Sequence, residues 1–200
     1  MKTRIFVFLI MMMTLLSCRP SKALSPEQAV VAKLLQNGKI NANSIQVLPA
    51  VQLHDSYFVF TSYNFFPANG KTQEPGQKCT SLFEVVRATS DWEVFGHGAG
   101  CSSNPYTDVF GTHTGVNFDF AQRSGTFSFA GGETVIADAV WVEVHWDDGT
   151  LQRVPVDGEH FIALRDGNHM PQVYVVLDKN GEETYTWKDS EDTEMIDLTP

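Results

Sequence analysis

The chain has 200 residues, a length that suits one domain or two small ones. Its formal charge of −10, from 14 basic against 24 acidic side chains, leaves no electrostatic footprint for nucleic acid and opposes adsorption to anionic lipid head groups. A hydrophobic content of 42%, with 12% aromatic residues, excludes a disordered chain and supplies a sizeable core.

Lys2 and Arg4 give a short positive start, and residues 5–16 follow as an apolar run broken only by Thr14. That length fits a signal-peptide h-region and falls well short of the ~20 residues that span a bilayer as a helix. The run ends in Leu15-Leu16-Ser17-Cys18. This resembles the lipobox of bacterial lipoproteins: an aliphatic residue three before the cysteine and a small residue just before it. The resemblance covers residues 1–18 only, and Leu16 departs from it where a smaller residue is commoner. It implies a diacylglyceryl group on the Cys18 thiol, cleavage before Cys18 by signal peptidase II, and acylation of the new amine. Each buried methylene then contributes ~0.8 kcal/mol, and two or more chains make the attachment stable. Arg19, rather than Asp, after the cysteine resembles the class sorted to the outer membrane of Gram-negative envelopes. The alternatives are an ordinary secretory signal with Cys18 near the cut, and an uncleaved anchor, for which the run is short. The expected place is the extracytoplasmic side of a bacterial membrane. Loss of residues 1–17 removes Lys2 and Arg4 and no acid, leaving 12 basic against 24 acidic side chains, a charge of −12. Lipid, not charge, would hold such a chain to a membrane.

After a tether at residues 18–24, Ser25-Pro26-Glu27-Gln28 reads as a helix start, with Ser as N-cap, Pro at the first helical position and Gln as capping-box partner. Ala29, Val30, Val31, Leu34 and Leu35 supply the apolar stripe, and Asn37-Gly38 ends it. The signals then turn to β. Residues 45–48 predict a short strand ended by Pro49. Residues 56–66 predict a strand buried on both faces, with Tyr57, Val59, Thr61 and Tyr63 on one side and Phe58 and Phe60 on the other. Residues 67–78 are a polar loop. A hairpin is expected from residues 81–88 and 92–95, then a glycine-rich loop over 96–114, an edge strand at 116–120, and a strand at 126–129 stopped by Gly131-Gly132.

With Cys18 assigned to lipid, Cys79 and Cys101 remain as an even pair in an oxidising compartment and read as a disulfide. Such a bridge stabilises by ~3 kcal/mol on the chain-entropy model. Cys79, His97, Cys101 and His113 can also be written as a zinc site, but their spacing matches no compact pattern of paired ligands. No metal or other cofactor is therefore expected.

Residues 140–187 alternate most cleanly, with turns at Asp147-Asp148-Gly149, Asp157-Gly158, Asp166-Gly167 and residues 178–181. Pro155 places its strand at an edge or a bulge. The expectation is a mainly β fold: one N-terminal helix, then antiparallel strands, with an Ig-like β-sandwich-type meander at the C-terminal end. Residues 126–187 look like the small β-sandwich modules of secreted bacterial proteins, a resemblance carried by turn spacing alone. The expected organisation is 1–17 removed, 18–24 tether, 25–120 helix plus β, 121–187 sandwich-like (one domain with 25–120 or a second), and 188–200 an acidic tail.

Three features invite a chemical reading. The stretch Gly96-His97-Gly98-Ala99-Gly100-Cys101-Ser102-Ser103 could let backbone N–H groups meet an anion, or it is a loop pinned by the disulfide that needs glycine for its turns. It lacks the strand and helix context of a phosphate loop or a hydrolase elbow. His145 and His160 could face each other across neighbouring strands. The acidic turns complete no Ca²⁺ loop. Trp141 shares a strand face with Glu143 and His145: open to solvent it is a stacking platform, covered by a sheet it is core. The functional expectation is a lipid-anchored, non-enzymatic module that binds a protein or glycan or serves envelope assembly, with His97 and Trp141 as candidate contact residues. The alternative is an envelope enzyme built around residues 96–103.

Overall fold

The computed structural model describes residues 25–66, 77–89, 91–102 and 110–188; Cys18, the tether, the loop at 67–76, Ser103 and the tail beyond residue 188 lie outside the described residues. Helix α1 (Pro26–Leu35) begins as its sequence dictates: the Ser25 hydroxyl accepts the Gln28 N–H at 3.3 Å, and Ala29, Val30 and Leu34 are buried. Glu27 Oε1 accepts the Ala50 N–H at 2.8 Å, which ties the helix to the chain beneath it.

Twelve strands follow among the described residues, and every pairing is antiparallel. They form three sheets. In the first, β3 (Ser56–Asn64) pairs on one side with β4 (Lys78–Arg87), which pairs with β5 (Trp92–Ser102). Its other side carries β1 (Gln46–Val47) and β2 (Val51–Leu53) end to end. Pro49, which has no N–H to donate, lies in the gap between them. The second sheet has the order β10 (His160–Asp166), β7 (Thr126–Thr134), β6 (Phe110–Asp119). The third has the order β12 (Glu183–Lys188), β11 (Pro171–Leu177), β8 (Trp141–Trp146), β9 (Leu151–Pro155).

The layers stack because two of the sheets are apolar on both faces. On β3, Val59 and Tyr63 pack with Val30 and Leu34 of the helix. Phe58 and Phe60 turn the other way, onto Phe127, Phe129, Ile162 and Leu164 of the second sheet. The opposite face of that sheet, with Ala130, Phe161 and Ala163, meets Val142, Val144, Trp146, Tyr174 and Val176 of the third. The order is helix, first sheet, second sheet, third sheet. At roughly 1.5–3 kcal/mol for each large apolar side chain fully buried, the two sheet-to-sheet interfaces dominate the favourable side of folding.

The fold is mainly β, with one helix followed by antiparallel sheets, and its C-terminal half is two facing sheets as a sandwich requires. The connectivity is less simple than a meander. β10 leaves its neighbours β9 and β11 and joins the second sheet, and its burial on both faces, with Phe161 and Ala163 to one side and Ile162 and Leu164 to the other, explains why.

Glycine misled the sequence reading twice. Residues 96–102 are strand, not loop, and β6 begins at Phe110. β7 runs through Gly131-Gly132 instead of stopping before them. Glycine permits close approach inside a sheet at Gly100 of β5 and at Gly131 and Gly132 of β7. A Cβ on Gly132 would lie 2.1 Å from the Gly111 carbonyl oxygen and 2.9 Å from the Phe161 ring, and one on Gly131 would lie 3.2 Å from the Phe60 ring. Gly132→Ala is therefore expected to destabilise the protein by about 1–3 kcal/mol through overpacking, read as a lower denaturant midpoint at unchanged slope. Wild-type stability for that variant would contradict this packing.

Candidate functional site

Cys79 and Cys101 are directly opposed on β4 and β5, and their sulfurs are at bonding distance, 2.05 Å. That pairing closes off the zinc arrangement, since His97 and His113 turn to other partners. The Cys79 side points to the helix, among the core residues there.

His97 owes its direction to an irregularity in pairing. Leu82 pairs with Gly98 and Phe83 with Gly96, so His97 is the extra residue of a β-bulge, flanked by glycines. The bulge aims its ring between the first and second sheets, where Nε2 lies 2.7 Å from Glu84 Oε2. Glu84 is fully buried. Its other oxygen accepts the Ser56 hydroxyl at 2.5 Å, and Oε2 also accepts the Ala121 N–H at 2.8 Å. Serine, imidazole and carboxylate are thus assembled in one place, but serine and imidazole both bond the carboxylate rather than each other. The bonded imidazole nitrogen is not placed to take the serine proton. The set acts as a polar clamp that carries β3, β4, β5 and the chain after β6.

A second clamp lies at the other end of the same interlayer. Glu133 of β7 accepts from Lys78 Nζ of β4 at 2.6 Å and pairs with His160 Nε2 of β10 at 2.8 Å. Beside it, His113 Nε2 of β6 lies 3.0 Å from the Thr80 hydroxyl of β4. Burial alone would raise the Glu133 pKa, but the bonds from His160 and Lys78 outweigh it and hold the carboxyl at about 2. Burial pushes His113 below the ordinary histidine value, and the Lys78 charge adds to that against the attraction of Glu133. A depression of about 420 Å³ opens next to this clamp, between Gln46 and Val47 of β1, the following Leu48, and residues 157–160.

Trp141 is half buried, on the face of β8 that carries Glu143 and His145 and is turned away from the row Val142, Val144 and Trp146. Arg153 of β9 bonds Glu143 across that face. His145 and His160 do not meet: the first lies on this outer face of the third sheet, the second inside the interlayer of the other two.

The fold also makes a cluster that the sequence did not show. Two turns meet at Asp147, Asp148 and His169, whose ligand atoms lie within 4.8 Å of one another. His169 Nδ1 is 3.3 Å from Asp147 Oδ1, and Arg165 bonds Asp148. The bond from the Thr150 N–H, together with Arg165 and His169, lowers the Asp148 pKa. Arg165 already supplies the positive charge a cation would bring, so ion pairing within the protein accounts for this cluster. The sequence signal was absent because the two turns lie about twenty residues apart and share no element.

The chain matches no family model, and no curated protein or solved structure is significantly similar to it.

The Glu133 clamp has an acid signature. In the unfolded chain Glu133 takes up its proton near 4.5, in the fold only near 2. Its contribution is therefore complete above pH 4.5 and is lost as pH falls towards 2. Glu133→Gln is expected to cost about 2 kcal/mol at pH 7 and to flatten the fall in stability between pH 4.5 and 2, measured by denaturant unfolding across that range. An unchanged acid limb in the variant would show that other carboxylates carry it.

Proposed function

We propose that the protein is an extracytoplasmic bacterial lipoprotein, held to a membrane by lipid on Cys18, whose β-layered domain is a non-enzymatic binding or envelope-assembly module. The observation that carries the reading is the lipobox-like Leu15-Leu16-Ser17-Cys18 at the end of a charged start and an apolar run of signal-peptide length. The Cys79–Cys101 bond suits an oxidising compartment and leaves Cys18 as the chain's remaining cysteine. The display reading draws support from the direction of the polar chemistry. Ser56, Glu84, His97, Glu133 and His160 spend their hydrogen bonds joining strands and sheets. The outer face of the third sheet, with Trp141, Glu143 and Arg153, is the surface offered to a protein or glycan partner.

Detergent phase separation of bacteria expressing the full chain tests the anchor. The wild type is expected in the detergent phase and Cys18→Ala in the aqueous phase. Equal partition of both into the aqueous phase would overturn the reading.

A further inference from the structure

Among the described residues, strand β6 is an edge strand, paired only with β7. Over its first half, the residues opposite Glu133, Gly131 and Phe129 are Gly111, His113 and Gly115, and these share the face turned to the first sheet. Two of the three are glycines. From Gly111 to Gly115, the His113 imidazole is therefore the one side chain β6 sends into the interlayer. Its seat is closely built: Nε2 against the Thr80 hydroxyl at 3.0 Å, the ring 6.3 Å from that of Phe60, and ring atoms 3.2 Å from where a Cβ on Gly100 would stand. The disulfide between Cys79 and Cys101 pins the two residues next to Thr80 and Gly100 to each other.

We propose that His113 is an acid-sensitive latch for strand β6: neutral, it keeps the first half of the strand seated against the first sheet, and protonated, it leaves its seat and residues 111–115 separate from that sheet. The charged groups facing it among the described residues are Lys78 from β4, Glu133 from β7 and, beyond Glu133, His160 from β10; β3 offers Phe60, and β5 offers Gly98 and Gly100. A proton on His113 thus adds a cation beside Lys78, whose carboxylate Glu133 is already divided between Lys78 and His160. Burial lowers the His113 pKa, so the seated form binds its proton less readily than the released form. Acid therefore shifts the balance towards release, beginning as pH falls below 6.5, the ordinary value, and levelling off below the seated value. The glycines make the release local, because they leave little side-chain packing to hold the rest of that half-strand.

Hydrogen exchange of the full chain at pH 7.5 and 5.0, normalised for the intrinsic amide rate, tests the latch. Peptides covering residues 111–115 are expected to gain exchange on acidification, by about tenfold for each unit by which burial lowers His113, while β3 and β11 stay protected. His113→Gln, whose amide reaches the position of Nε2 and can still bond Thr80 but does not titrate, is expected to abolish that step. Absence of the step in the wild type, or its persistence in His113→Gln, would overturn the proposal. If the variant fails to fold, an NMR titration of the wild-type imidazoles decides. A His113 midpoint below 6.5 that coincides with the exchange step supports the latch, and a midpoint at or above 6.5 refutes it.

Discussion

The structure depends on the contact between its first two sheets. Phe58, Phe60 and Leu82 from one side and Phe127, Phe129, Ile162 and Leu164 from the other make an apolar interlayer, and aromatic rings close on each other within it, Phe58 and Phe127 at 4.6 Å. Everything else leans on this contact. The helix packs on the back of the first sheet, and the third sheet packs on the back of the second. The contact itself is bounded by two buried carboxylates, Glu84 and Glu133, one rooted in each sheet. Fully partnered, such groups add geometric specificity to an interface that aromatic packing alone would leave free to slide. Stripped of a partner, each would be a buried unpaired charge.

This arrangement gives the histidines their role. Three of the six, His97, His113 and His160, point into the same interlayer, and each packs against Phe58 or Phe60. Two are bonded to the carboxylates. His113 sits against a neutral hydroxyl, and between Gly111 and Gly115 it is the side chain that β6 sends into the interlayer. The serine, imidazole and carboxylate groups of the interlayer thus join strands and sheets, while Trp141, Glu143 and Arg153 lie on the outer face of the third sheet.

The elements that carried strong periodicity were legible in the sequence. Ser25-Pro26 announced the helix, the aromatic alternation of residues 56–66 announced a strand buried on both faces, and the paired cysteines announced their bond. Glycine was the main source of error. Gly96, Gly98, Gly100, Gly131 and Gly132 read as loop and stop signals, yet they lie in strands whose neighbours come too close for a Cβ or whose pairing is bulged. His97 stands out in the sequence for its glycine setting, which the bulge explains, but its partner Glu84 carries no local signal. Glu133, His160 and Lys78 were invisible as a group because they come from three strands in two sheets. β10 is legible as a strand but not as a member of the second sheet, since alternation shows which faces are buried and not what buries them.

If the interlayer is the element that holds the domain together, residues 25–188 unfold as one unit. Pulse-labelled hydrogen exchange across the denaturant transition tests this most directly, with β3, β7 and β11 reporting on the first, second and third sheets. The same fraction of unfolded molecules is expected from all three strands at every denaturant concentration. A range of concentrations in which β3 is exchanged while β7 and β11 remain protected would contradict it, and would show that the first sheet folds apart from the other two.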